Sequence, residues 1–218
     1  MPKKRGPEYE EKRAALRRAA ARMLADSPFD IPSWPTVAAE IGMSQGAIAY
    51  YYGNLGNLLW SVVSEHLRLL LERLGEDAPE TLAPRERIVE LAQSYCAFIG
   101  EYEAEHRTTM THRVRLNPTR SRDARQMQQW VLGMFEDAFL AALPPVAAER
   151  AMPLAQALLS LLDGHAEWSR DGADGAPMAF AEMAARMVLS EVPARVRRRT
   201  AGMRAVAGSS CDAAKMAA

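Results

Sequence analysis

Cysteine is nearly missing from this chain. Cys96 and Cys211 are the only two among 218 residues. One sits in an apolar helical pattern and the other in a polar tail, so no disulfide is expected and neither has metal-ligand spacing with a second cysteine. Strand-like alternation is absent and β-branched residues are few, which leaves an all-α chain as the expected fold class. No apolar run is long and uncharged enough to cross a bilayer, so no membrane association is expected. The opening stretch, Met1 to Ala15, lacks the apolar centre of a secretory signal, and the expected location is the cytoplasm. An excess of one charge sign is missing too. The 27 basic and 27 acidic residues cancel, which weighs against nonspecific coating of nucleic acid but says nothing against a local basic face.

What is present is apolar and helical. The hydrophobic fraction is 49%, enough for one sizeable core or for a small domain joined to a larger one. The spacing predicts a first helix over Glu8–Ala25 with Leu16, Ala20, Met23 and Leu24 on one face. It carries many of the early basic residues, while Lys3, Lys4 and Arg5 precede it. A long helix is predicted over Leu55–Leu74. The Gly- and Pro-bearing stretch Gly75–Pro84 then marks a boundary. Further helices are predicted near Arg85–Glu103, Ala104–Leu116, Ser121–Leu143, Val146–Arg170 and Pro177–Glu191. This gives an N-terminal unit over residues 1–74, a larger unit over 84–192, and a basic, Ala-rich tail over 193–218 that is expected to be disordered.

The stretch Ser33–Leu59 is the most telling. Ser33 has the character of an N-cap, and Pro35 sits in the first turn of the helix it opens. Gly42 suits the left-handed end of that helix, and Ser44 can cap the next one. Ile48 and Tyr52, four apart, make an apolar face. Gly46 and Tyr50 point the other way, flanked by Ala47 and Ala49. Two short helices around a tight turn, one with a small-residued outer face, form a helix-turn-helix over about 32–51. Its second helix would enter a major groove.

The order of pieces resembles the TetR family of transcriptional regulators. The ungapped match runs from about Ala14 to Leu59. Ser33-Trp34-Pro35-Thr36-Val37-Ala38 stands at the family's second helix, Ile41-Gly42-Met43-Ser44 at its turn, Gly46-Ala47-Ile48-Ala49 at its recognition core, and Leu58-Leu59 in its fourth helix. Further on, Ala157 to Gly164 echoes the apolar-then-Asp-Gly stretch of the family's eighth helix. The departures are also specific. Ala49 replaces a tyrosine and Leu55 replaces a lysine, both usual phosphate contacts.

The resemblance implies a ligand-responsive repressor that binds a palindromic double-stranded operator as a homodimer. The DNA-contacting residues it implies are Ser33, Thr36 and Ser44 on phosphates and Gln45, Gly46, Ala47, Tyr50 and Tyr51 in the groove, with Lys3, Lys4 and Arg5 as a basic arm. The dimer would form through the last two long helices, whose apolar stripes are Leu154, Ala157, Leu158, Leu161 and Leu162, and Met183, Met187 and Val188. A small-molecule effector would lie in the larger domain. Its candidate lining is Trp60, Tyr95, Phe98, Tyr102, Met110, Trp130, Met134 and Trp168, with His66, His106 and His165 as polar orienters. The alternative is a helical ligand- or protein-binding dimer whose DNA affinity is weak or lost, motivated by Ala49 and Leu55.

Enzyme chemistry finds no support. There is no nucleophile elbow, phosphate loop or zinc pattern. Glu103 and His106 have the Glu-x-x-His spacing of a di-iron ligand pair, but no second copy exists, and a solvated ion pair is expected there. No catalytic residue, metal or cofactor is therefore assigned.

Overall fold

The computed structural model describes residues 6–27, 32–169 and 176–191, the side chains of 167–169 excepted. Among these residues every regular element is helical. The helices are α1 (Pro7–Ala25), α2 (Trp34–Ile41), α3 (Gln45–Tyr52), α4 (Leu55–Asp77), α5 (Pro84–Glu101), α6 (Glu103–His112), α7 (Pro118–Ala142), α8 (Ala151–Ser169) and α9 (Pro177–Ser190). Short 3-10 turns, Arg113–Arg115 and Pro145–Arg150, follow α6 and precede α8. Lys3, Lys4, Arg5, the side chain of Trp168 and the 193–218 tail lie outside the described residues.

Proline opens five of these helices, α1, α2, α5, α7 and α9, where its missing N–H is one that a helix start leaves unpaired anyway. That explains one shifted boundary. Asn117 is the N-cap of α7, its side chain accepting the Arg120 N–H at 3.0 Å, so Asn117-Pro118 begins the helix that was expected to start at Ser121. Another boundary moves because Tyr102, at φ −119° and ψ 41°, interrupts the helical path between α5 and α6. No proline marks that break in the sequence. The expected helix over Val146–Arg170 begins instead with the 3-10 turn, and α8 proper starts at Ala151.

Three apolar clusters hold the chain. The first joins Leu16 and Ala20 of α1 to Val37 and Ala38 of α2, Ile48 and Tyr52 of α3 and Leu58 of α4. Ile48 is fully buried there, and burial of such a side chain stabilises by roughly 1.5–3 kcal/mol. The Tyr52 hydroxyl donates to the Arg13 carbonyl at 2.6 Å, which satisfies its polar tip. A second cluster, Leu24, Leu59, Val63, Leu67, Leu116 and Ala124, joins α1 and α4 to the start of α7. The third and largest gathers the end of α4 with α5, α7, α8 and α9 around Phe98, Phe135 and Phe139.

In the last two helices each predicted stripe divides. Leu154, Leu158 and Leu162 of α8 and Val188 of α9 face this chain's own core. Ala157, Met183 and Met187 are exposed, and Leu161 is half-buried. The stripe is wider than one contact face because an α-helix buried on one side and flanked by apolar residues presents more than a narrow seam.

Polar bonds tie α6 to the end of α1. Thr108 Oγ1 donates to the Ala21 carbonyl at 2.9 Å, an Arg107 Nη to that of Ala25 at 2.8 Å, and His112 Nε2 lies 2.9 Å from that of Leu24. The Ala25 carbonyl belongs to the last turn of α1, which intrahelical bonds leave unpaired, while that of Leu24 also accepts the Ser27 N–H at 3.2 Å.

Candidate nucleic-acid interface and effector cavity

Residues 33–54 form the helix-turn-helix that the sequence predicts. Ser33 Oγ accepts the Thr36 N–H at 3.3 Å and lies 2.7 Å from Thr36 Oγ1. Gly42 takes φ 69°, and behind it the Met43 N–H reaches back to the Ala38 carbonyl at 3.0 Å. Ser44 Oγ then accepts the Ala47 N–H at 3.1 Å, starting α3. Ile48 and Tyr52 pin α3 to the core, which turns Gln45, Gly46 and Tyr50 outward. Tyr50 is 65% exposed. A Cβ built on Gly46 meets nothing within 4 Å, so the chain's own packing does not require glycine there. Its absence instead lets another surface come close.

The aromatic rings on this face brace one another. Tyr9 of α1 meets Tyr51 at 4.9 Å and Tyr50 at 5.8 Å between ring centroids, and Tyr50 meets Tyr51 edge-on at 5.3 Å. Tyr9 was no sequence candidate; only the approach of α1 to α3 reveals it.

Leu55, at the position of the resembled family's lysine, packs partly buried against the N-terminal cluster. A cation arrives at the same place from elsewhere. Arg120 of α7 donates to the Gly56 carbonyl at 3.0 Å and to Asn57 Oδ1 at 2.5 Å. It shares a polar groove with Arg13, Arg17, Tyr51, Asn57 and Trp60. Arg17 is paired with Glu65 at 3.4 Å, and the Arg13 guanidinium carbon lies 5.3 Å from the Tyr52 ring centroid.

A second site lies in the larger helical part. His66 of α4 is buried, with Nε2 3.2 Å from Nδ1 of His106 on α6. The His106 ring continues toward α8, its Nε2 lying 3.6 Å from Asp163 Oδ1. Tyr95 of α5 donates to the same Asp163 oxygen at 2.7 Å. Four helices thus meet in one chain of polar groups. Burial, with His106 alongside, lowers the His66 pKa to about 3, so His66 is neutral at ordinary pH. Burial and the Asp163 charge push the Tyr95 hydroxyl well up and Cys96 to about 11, which keeps both protonated.

A cavity of about 340 Å³ opens beside this network, lined by Ile99, Glu103, His106, Met110, Arg113 and Asp163 among others. It shares the walls Ile99, Glu103 and Ala166 with a smaller one of about 170 Å³ that reaches Cys96, Leu162 and His165. His165 stacks on Phe180 of α9 at 3.9 Å. The larger volume falls in the range of small-molecule sites, roughly 300–1,000 Å³. Among the described residues no cluster of three or more His, Cys, Asp or Glu is placed to hold a metal ion, and no helix is long and apolar enough to cross a membrane.

No protein-family model and no curated protein matches the chain. Solved structures do. A TetR-family transcriptional regulator from Bordetella parapertussis 12822 is 23% identical, with 83% of this chain and 95% of that one covered at a TM-score of 0.71. A bacterial regulatory protein in the TetR family from Rhodococcus RHA1 is 20% identical, covering 83% and 97% at 0.73. AibR, in complex with isovaleryl coenzyme A and operator DNA, is 16% identical, covering 81% and 97% at 0.71. This chain has the TetR fold.

Within the TetR fold the predicted residues fall into groups. Ser33, Thr36, Ser44, Gln45, Gly46 and Tyr50 share one exposed face, with Ala47 and Tyr51 half-buried at its edge. Of the predicted effector residues, His106 and Met110 line the larger cavity and His165 the smaller. His66 and Tyr95 stand behind it in the polar chain, and Phe98 is core. Tyr102 stacks on Phe98 at 4.6 Å and lines an exposed polar groove beside Arg18 and Arg22. Three more of the predicted residues, like Phe98 and Tyr102, stand away from both cavities. Trp60 lies in the groove with Arg120, and Met134 packs against the large core. Trp130 is 55% exposed, because Val131, Phe135 and Ala138 take the inward face of α7. The solvated Glu103–His106 pair is also corrected. His106 is buried against His66 and Asp163, while Glu103 lies 3.9 Å from Arg107. Asp163 and Arg113 escaped the sequence reading, since their role depends on helices far apart in the chain.

Proposed function

We propose that this protein is a DNA-binding transcriptional regulator, a ligand-responsive repressor that binds a palindromic operator as a homodimer. The observation that carries the reading is the outer face of α3. A helix capped by Ser44 and pinned by Ile48 and Tyr52 presents Gln45, Gly46 and Tyr50 to solvent, in the manner of a helix that reads a major groove. Ser33, Thr36 and Ser44 hold phosphates around it, and Lys3, Lys4 and Arg5 supply a basic arm. AibR, whose structure is similar to this chain's, is in complex with isovaleryl coenzyme A and operator DNA together, which supports a two-ligand reading here. We assign the operator to an N-terminal domain over 1–74 and the effector and dimer contacts to a second over 84–192. The exposed Met178, Met183 and Met187 of α9 support the dimer, because a surface methionine row is an apolar area that a second copy would cover. The protein has no catalytic role in this reading, and it works in the cytoplasm.

Selection of bound fragments from host genomic DNA with purified full-length protein tests it. A retained palindromic sequence at low salt supports it. No selective retention overturns it and leaves the second reading, a helical dimer with weak or lost DNA affinity. That second reading rests on Ala49 and on Leu55, which packs inward. Arg120 beside Gly56 and Asn57 favours the first, because it restores a cation at the start of α4.

A further inference from the structure

The cavity beside His106 is lined by two carboxylates and two guanidinium groups that are unevenly paired. Glu103 lies in ion-pair range of Arg107, at 3.9 Å, and Arg107 also reaches Asp26 at 3.7 Å and the Ala25 carbonyl. Asp163 accepts the Tyr95 hydroxyl and stands against His106. Both carboxylates of the lining are therefore engaged. Arg113 is not matched in this way. One of its Nη atoms donates to the Met110 carbonyl at 3.3 Å and approaches Met110 Sδ at 3.0 Å, and it makes no ion pair among the described residues. Its other guanidinium edge, Nε and the second Nη, has no hydrogen-bond partner among the described residues. That edge is a planar fork that matches the two oxygens of a carboxylate. The rest of the lining is largely apolar. Ile99 and Ala166 continue from the larger cavity into the smaller one, where Cys96 and Leu162 extend the apolar wall.

We propose that this cavity binds an amphipathic carboxylate, with its acid group on Arg113 and its hydrocarbon chain along Ile99, Ala166 and Leu162. The inference rests on the reading of this cavity as the effector site and adds the chemical class of the effector. A carboxylate supplies the ion-pair partner that Arg113 lacks among the described residues. It also fills the apolar arm without leaving a polar group unpaired. A cationic amine would place its charge beside Arg113 and Arg107, against carboxylates already engaged by Arg107, Tyr95 and His106. A neutral alcohol would leave the free edge of Arg113 without its partner.

Calorimetric titration of full-length protein with octanoate, octylamine and octanol at neutral pH tests the assignment without DNA. Octanoate is expected to bind more tightly than either. Arg113→Gln should weaken octanoate by about ten- to a hundred-fold, the worth of a charge-assisted hydrogen bond, and should leave octanol unchanged. Arg113→Lys, which keeps the charge but not the fork, should recover part of that loss. Ala166→Phe, placed in the apolar wall, should block octanoate and octanol alike. The proposal is overturned if octylamine binds as well as octanoate, if Arg113→Gln leaves octanoate affinity unchanged, or if octanoate does not bind at all. Adding octanoate to an operator complex separates the two readings. Binding to the cavity with no change in DNA affinity keeps the carboxylate site and removes the effector role.

Discussion

Arg120, near the start of α7, donates to Asn57 Oδ1 at 2.5 Å and so joins the larger helical part to the first turn of α4. The contact puts a guanidinium beside Gly56, one residue from Leu55. If this cation stands in for the missing lysine, Arg120→Ala will weaken operator binding and reduce the slope of log affinity against log salt by about 1, the contribution of one phosphate contact. Adding Leu55→Lys to Arg120→Ala should restore most of the slope. Binding measured by fluorescence anisotropy across a salt series decides it, and equal slopes for wild type and Arg120→Ala remove Arg120 from the interface.

The outer and inner faces of α3 should separate stability from binding. Tyr50 is exposed and meets Tyr9 and Tyr51 edge-on, whereas Ile48 is fully buried. Tyr50→Ala is expected to cost no more than about 1 kcal/mol of stability while sharply weakening operator binding. Ile48→Ala should cost about 2–5 kcal/mol through the cavity it leaves. Ser44→Ala falls between, at about 1 kcal/mol for the lost cap. Urea denaturation and gel shifts on the same preparations provide both readouts. A Tyr50→Ala protein that binds DNA normally contradicts the reading of this face.

Much of this face was legible in the sequence because its signals are local. A serine cap stands immediately before the helix it starts, and Gly42, suited to the left-handed end of a helix, takes φ 69°. Ile48 and Tyr52 follow from helical spacing alone. The candidate cavity was legible only in part for the opposite reason. His106 lies 40 positions from His66 and Tyr95 lies 68 from Asp163, and no short-range pattern encodes which helices pack together. The same distance hid Arg120, whose partners are 63 and 64 positions away. The exposed Trp130 misled the reading because a large aromatic ring in a helical pattern is more often inside than out.

His66 predicts a pH dependence with a definite sign. Its pKa in the folded chain is lowered from 6.5 to about 3 by burial and by His106. Between those values the unfolded chain binds a proton that the folded chain does not, so the folded state loses stability as pH falls from about 6.5 toward 3. At pH 5 the loss is on the order of 2 kcal/mol relative to pH 7.5. His66→Gln keeps a partner for His106 and removes the titration. The stability difference between wild type and this variant should shift in favour of the variant by about that amount on moving from pH 7.5 to 5. A pH-independent difference, from urea titrations at both values, means that His66 is not held neutral by its surroundings.

The last prediction concerns how the cavity reaches α1. Helix α6 carries both ends of the path: His106 and Met110 line the cavity, while Thr108 and His112 hold carbonyls of α1. An occupant that shifts α6 must therefore shift the end of α1 or break those bonds, and α1 packs directly on α2, α3 and α4 through Leu16 and Ala20. Thr108 is fully buried, and its hydroxyl donates to the Ala21 carbonyl at 2.9 Å. Thr108→Val removes that bond with little change of shape, and Thr108→Ser keeps it. If the strap couples the sites, the ratio of operator affinities without and with octanoate should fall toward one in Thr108→Val and stay near the wild-type value in Thr108→Ser. The coupling is reciprocal, so the operator should lose its effect on octanoate affinity in the same variant and by the same factor. A ratio unchanged in Thr108→Val would assign the coupling to α4, which carries His66 to His106 and runs from the helix-turn-helix into the large core.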